Sequence, residues 1–218
     1  LSQPTLASKT LERASKALKS KHAAGLPEII EIVRTLSEKA QEISVQELAQ
    51  LVEKDATVLT KILSIANAFG YNPSRVPIGT IVDAIQVIGF ERIRTLAISL
   101  MLFERSNRTQ SPVERQEAVA FALFAGCFAK TAAEHGIAVD PEEAFVCASL
   151  RQFGHIVLTT FMTEEYRMAR RLSAEMNDDD SFRRVFGTTP HELGYELLKA
   201  EQLPPTILEA LKTFHPDR

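Results

Sequence analysis

Five histidines, His22, His135, His155, His191 and His215, are the side chains with most to offer chemistry. Imidazoles set beside carboxylates can hold a divalent metal and leave a position open for an activated water. His155 stands in the run Arg151-Gln152-Phe153-Gly154-His155. Arg151 stays protonated and cannot ligate a metal, and Gln152 offers only a neutral amide oxygen. With no second ligand beside it, His155 reads as a partly buried residue at a helix start rather than a ligand or proton shuttle. His191-Glu192 is a ligand-type pair, but it follows Pro190 in a helix first turn, where a surface position is expected. His135, in Glu-His-Gly, suits the dipole at a helix end. Cys127 and Cys147 have no histidine near them in sequence. No glycine-rich phosphate loop, Walker-type or GxSxG pattern occurs.

The elements that must position these residues are helical throughout. Apolar residues recur at helical spacing and no stretch sustains strand alternation. Thr5–Lys21 carries a narrow apolar stripe, Leu6, Leu11, Ala14 and Leu18. Gly25-Leu-Pro27 opens a helix near Glu28–Lys39. Ser44-Val-Gln-Glu47 is a capping-box sequence for a helix to about Glu53. Asp55 caps a third helix running to Phe69. Two prolines and two glycines make Gly70–Gly79 a loop. Thr80 caps Ile81–Ile88, Gly89 closes it, and Glu91–Glu104 forms a strongly apolar helix.

Arg105–Pro112 is polar and short, the best candidate hinge. Beyond it helices are expected near Val113–His135, Pro141–Phe153, His155–Phe161, Glu164–Glu175, Phe182–Phe186, Pro190–Glu201 and Pro204–Phe214. Gly154 is read as ending one helix before the next begins, and Asn177-Asp-Asp-Asp180 as a solvated turn. The fold class is all-α, about a dozen helices, with two lobes at roughly 26–105 and 112–218.

Bulk properties narrow the function. The chain has 218 residues, 45% apolar and 24% charged, with a net charge of −3. That balance argues against a broad nucleic-acid-binding face. No uncharged apolar run approaches the roughly 20 residues of a membrane span. Two thiols in apolar helical sequence read as buried core residues of a reducing, cytoplasmic compartment.

Several segments together resemble the HDOD domain, a family of bacterial signalling modules related to the HD-type metal-dependent phosphohydrolases. They are Gly25-Leu-Pro27; Glu47–Asp55 followed by Leu59–Leu63 and Asn67-Ala-Phe69; Ile81–Gly89; Ala148–Gly154; and His191-Glu-Leu-Gly194, Leu203-Pro204 and His215. Their order and spacing carry the resemblance across nearly the whole chain from Leu26, leaving residues 1–25 as an N-terminal connector helix.

The resemblance implies an HD-like helical bundle. In HD-type enzymes a His-Asp pair ligates metal just before a hydrophobic residue and a glycine; here Arg151-Gln152 stands in that place. The helix Ala118–Phe128, which would supply a first His, has neither His nor Asp. The resemblance therefore implies a scaffold without metal, cofactor or catalysis, acting in bacterial signal transduction by binding. Such a module is often part of a larger protein such as a response regulator. Expected partners are a protein or an upstream or downstream signalling domain, or a small acidic ligand, with a homodimer through Thr5–Lys21 as a further option.

Two regions are candidate contacts. One is the pocket remnant of Arg151, Gln152 and His155, where Arg151 is expected to be buried and paired within the protein. The other is the loop bearing Asn67, Phe69 and Tyr71. Two alternatives compete: a degenerate phosphohydrolase or nucleotide binder, and a DNA-binding regulator using a helix-turn-helix-like pair at 44–67. Against the last, Thr57–Asn67 has Lys61 as its only basic residue. The Arg167-Arg170-Arg171 and Arg183-Arg184 clusters read as solvated helix faces.

Overall fold

A computed structural model of the chain describes residues 4–20, 26–38, 43–68, 71–107, 112–136 and 139–212. Among them are thirteen helices and no strand. In the first half these are α1 (Leu6–Leu18), α2 (Leu26–Glu38), α3 (Val45–Glu53), α4 (Ala56–Ala66), α5 (Ile81–Ile88) and α6 (Phe90–Asn107). The second half holds α7 (Val113–Glu134), α8 (Pro141–Leu150), α9 (Phe153–Phe161), α10 (Thr163–Leu172), α11 (Asp178–Phe186), α12 (Pro190–Ala200) and α13 (Pro205–Leu211).

Local chemistry sets most boundaries. Ser44 Oγ accepts from the Glu47 amide at 3.2 Å while the Ser44 amide donates to the Glu47 carboxylate at 2.8 Å, the reciprocal box that starts α3. Asp55 caps α4 and Thr80 caps α5, each satisfying first-turn amides. Gly89 ends α5 with φ +100, a conformation closed to L side chains. Asn177-Asp-Asp-Asp180 is not a turn: Asn177 caps α11 and the three aspartates form its first turn. There their charge complements the helix dipole.

α2 to α6 pack on one another, and α7 to α13 do the same around the α7–α8 and α9–α12 pairs. α6 joins the two sets by packing on α7 and α8, and the buried apolar side chains form one cluster. The expected hinge falls partly inside α6, which runs to Asn107; residues 108–111 lie outside the described residues. α1 docks on α9, α11 and α12. Ala14 and Leu18 are buried there, and buried Thr10 donates its hydroxyl to the Phe186 carbonyl at 2.8 Å. The C-terminal part of the α1 stripe is thus buried inside the molecule, Leu11 is partly buried, and Leu6 remains exposed.

The apolar stretch at 118–129 does not go wholly into the core. Ala118, Val119, Ala122 and Gly126 of α7 are buried, but Phe121, Phe124 and Phe128 are exposed. Cys127 is exposed with them and Cys147 is half-buried, so the two thiols are not both core residues.

Candidate functional site

The segment from α8 to α9 breaks earlier than the glycine. α8, capped by Asp140, ends at Leu150, and Arg151 and Gln152 form the joint. Gly154 lies buried within the first turn of α9. Its role is a close approach: a Cβ there would fall 1.7 Å from the Pro190 carbonyl oxygen of α12. No side chain larger than hydrogen fits between these two backbones.

The joint sends its two side chains apart. Gln152 faces a cleft of about 810 Å³. Arg151 is exposed, and its guanidinium lies 3.4 Å from the Ala210 carbonyl at the far end of α13. Arg151 is therefore neither buried nor part of the cleft, and the internal ion pair expected for it is not needed. An arginine at a helix C-terminus that reaches solvent avoids the cost of desolvating its charge.

The cleft is walled by Glu114, Glu117, Ala118 and Phe121 of α7, by Gln152 and His155, by Tyr166, Arg167, Arg170 and Arg171 of α10, and by Asp178 of α11. His155 is half-buried, with Nδ1 2.9 Å from the Tyr166 hydroxyl. Its ring meets Tyr166 edge-on at 5.8 Å and Phe182 edge-on at 5.6 Å. Burial foremost, then the Arg170 guanidinium, pushes the imidazole down to about 4 against the opposing pull of Asp178. It is neutral near pH 7, and burial raises the Tyr166 phenol. This is a packed aromatic corner in which, among the described residues, the imidazole bonds the Tyr166 hydroxyl and no carboxylate orients it as a base.

Ion pairs line the rest. Arg167 grips Glu114 with Nε at 2.6 Å and Nη2 at 3.1 Å, tying α10 to α7, and reaches Glu164 at 2.6 Å. That guanidinium holds the Glu114 carboxyl below the ordinary carboxylate range. Arg170 meets Asp178 at 3.2 Å. Arg171 has no ion-pair partner among the described residues. The arginines of α10 are therefore not merely a solvated face. Their first-turn Glu partner and helical spacing are visible in sequence; that α7 and α11 face them is not.

The other sequence candidates lie apart. Asn67 caps α4, donating to the carbonyls of Leu63 at 2.8 Å and Ile78 at 2.9 Å and accepting from the Ile78 amide at 2.9 Å. Its side chain clasps the loop rather than offering a contact. Tyr71 is exposed, and Phe69 lies outside the described residues. His135 Nδ1 bonds the Thr131 carbonyl at the end of α7. His191 is half-buried in the first turn of α12, where burial lowers its pKa. His22 and His215 lie outside the described residues.

No group of three or more His, Cys, Asp or Glu side chains among the described residues is placed to hold a metal ion. No helix among them is long and apolar enough to cross a membrane. In the 44–67 pair, Val58, Ile62 and Ala66 are buried, and Lys61 pairs with Glu104 of α6.

Comparison with known proteins places this arrangement. The HDOD domain family matches residues 24–216. An HDOD domain protein of unknown function from Geobacter sulfurreducens superposes with a TM-score of 0.68 at 23% identity, covering 82% of this chain and 61% of that one. This chain thus spans about three fifths of that relative's length. A candidate phosphohydrolase from Shewanella amazonensis SB2B superposes with a TM-score of 0.69 at 17% identity, over 95% of this chain and 72% of that one. The MmoQ response regulator from Methylococcus capsulatus str. Bath is 27% identical over 84% of this chain and 72% of its own, with a TM-score of 0.42. A comparison with curated proteins finds no match.

Proposed function

The chain belongs to the HDOD domain family, and on that premise we propose that it is a non-catalytic regulatory module of bacterial signal transduction that works by binding. In this reading residues 1–25 form a connector and residues 26–218 the domain, with lobes at roughly 26–105 and 112–218. The observation that carries the reading is the joint at Arg151 and Gln152. Where related phosphohydrolases place a metal-ligating His-Asp pair, one side chain leaves for the surface and the other brings a neutral amide to the cleft. A neutral amide suits recognition of a ligand, and an imidazole pushed down to about 4 is a weak base toward water near pH 7.

The cleft suits a small acidic ligand. Arg171 offers at its rim a guanidinium with no ion-pair partner among the described residues, while Gln152, Tyr166 and His155 offer neutral hydrogen-bonding groups. An acidic segment of a neighbouring signalling domain would present the same chemistry. The DNA-binding alternative has less behind it, since the one base of α4 is engaged by Glu104.

The test pairs metal and ligand. Purified protein is melted with magnesium, manganese or iron(II), with and without nucleotides and cyclic dinucleotides, and the nucleotides are assayed for hydrolysis. The expected result is no metal-dependent shift in Tm and no turnover, with anion-dependent stabilisation weakened by Arg171→Ala. Metal-dependent hydrolysis that persists after removal of contaminating enzymes would overturn the reading.

A further inference from the structure

The charges that line the cleft balance in sum but do not all cancel in pairs. Glu114, Glu117 and Asp178 supply carboxylates, and Arg167, Arg170 and Arg171 supply guanidiniums. Arg167 holds Glu114 at 2.6 Å and Arg170 meets Asp178 at 3.2 Å. One charge of each sign is left over. Glu117 on the α7 wall and Arg171 on the α10 wall are exposed, and neither has an ion-pair partner among the described residues. Both stand one helical turn past the clamp between Arg167 and Glu114, about 4–6 Å farther along their own helices at ~1.5 Å per residue.

On the reading that the cleft binds a ligand, we infer that this ligand is double-ended, with a phosphate or carboxylate oxyanion for Arg171 and an amine for Glu117. A purely anionic ligand satisfies Arg171 but brings like charge toward Glu117, and no second unpaired cation of the lining offsets that repulsion. An amine at the far end turns the same carboxylate into an attractive contact. Phe121 follows Glu117 by four residues, so ring and carboxylate share one ridge of α7, and both favour a cation. The ring is 56% exposed and lines the cleft beside Ala118, which gives the body of such a ligand an apolar surface to lie on.

An isolated unpaired charge on a protein surface is ordinary. Here two of opposite sign share one concave site with a ring and an amide. The cleft volume of about 810 Å³ lies within the roughly 300–1,000 Å³ of small-molecule sites. The Tyr166 hydroxyl is already engaged by His155 Nδ1. Gln152, half-buried in the lining, therefore supplies the neutral donor and acceptor that would orient the middle of the ligand.

NMR titration of the whole chain with simple probes tests the proposal. Phenyl phosphate carries a ring and an anion, tyramine a ring and an amine, and O-phosphotyramine all three; L-phenylalanine is a shorter double-ended probe. The expected result is that at least one double-ended probe binds about tenfold tighter than phenyl phosphate or tyramine, with shifts at Glu117, Phe121, Gln152 and Arg171. Glu117→Gln should remove the advantage over phenyl phosphate without weakening phenyl phosphate itself, and Arg171→Ala should remove the advantage over tyramine. Both side chains are exposed, so helical circular dichroism and Tm should match wild type. If phenyl phosphate binds as tightly as both double-ended probes, or if Glu117→Gln leaves the ranking intact, the inference is overturned and the acidic-ligand reading of the cleft stands. Binding of tyramine alone, or of no probe at millimolar concentration, overturns both.

Discussion

Gly154 of α9 and Gly194 of α12 meet backbone against backbone. A Cβ on Gly154 would lie 1.7 Å from the Pro190 carbonyl oxygen, and one on Gly194 would lie 2.7 Å from the Gly154 amide nitrogen. Neither obstacle is a side chain that can swing aside, so the helices themselves must separate. Gly154→Ala should therefore destabilise the protein by about 3 kcal/mol or more, at the upper end for overpacking. Because both glycines open the same crossing, Gly154→Ala with Gly194→Ala should cost clearly less than the two single changes added together. Urea unfolding of the three variants measures this; a Gly154→Ala protein as stable as wild type would contradict the packing described.

That crossing shows what a sequence can and cannot disclose. The capping roles of Ser44, Asp55 and Thr80 were legible because a cap acts over three residues and leaves its own signature. Gly154 was legible only as a glycine, and helix termination is the commoner local use of one. Its partner lies far along the chain, so the close approach belongs to tertiary structure. The all-α class and the family were readable, since both rest on patterns distributed over the whole length. Of the cleft, Gln152 and His155 could be found in the joint between α8 and α9. Glu114, Tyr166, Arg167 and Asp178 could not, because they converge from α7, α10 and α11 only on folding. Arg151 was misplaced because a residue beside buried neighbours need not share their burial at a helix end. Phe121, Phe124 and Phe128 show a related limit: apolar composition does not reveal which side of a helix remains uncovered.

His155 makes stability depend on pH. Its imidazole falls from an ordinary value near 6.5 to about 4 in the folded protein, chiefly through burial. The unfolded chain then binds more protons than the folded one between those values. Stability from this group is complete above about pH 6.5 and is lost as pH falls toward 4, by a ceiling on the order of 3 kcal/mol. Arg170 steepens the effect and Asp178 moderates it. Urea unfolding at several pH values should show wild type losing stability across this window faster than His155→Gln, which removes the titration. Parallel curves would show that the imidazole is not held neutral by the fold.

Lys130 and Glu142 join α7 to α8 where the carboxylate is almost wholly buried, and Glu142 Oε2 has no hydrogen-bond partner among the described residues. Removing only the cation leaves that charge uncompensated. Lys130→Met should cost about 3 kcal/mol at neutral pH. Adding Glu142→Leu should recover most of the loss, because an apolar pair of similar size avoids desolvating either charge. Chemical denaturation of the double-mutant cycle reads the coupling directly, and purely additive losses would argue against an ion pair at this position.

The two thiols should react at very different rates, and the reason lies in what surrounds each one. Cys127 stands exposed on α7, open to reagent. Cys147 is half-buried in α8, and its thiol is pushed up to about 11 by burial, with the Glu143 carboxylate adding to the effect. Alkylation requires the thiolate, so at pH 8 roughly one part in a thousand of Cys147 is reactive. Iodoacetamide followed by peptide mass spectrometry should label Cys127 at least about a hundredfold faster than Cys147. The Cys147 rate should continue to rise with pH well above 9, and denaturation in urea should bring the two rates together. Equal rates in the folded protein would mean that the packing around Cys147 opens readily, since only an open state would expose its thiolate.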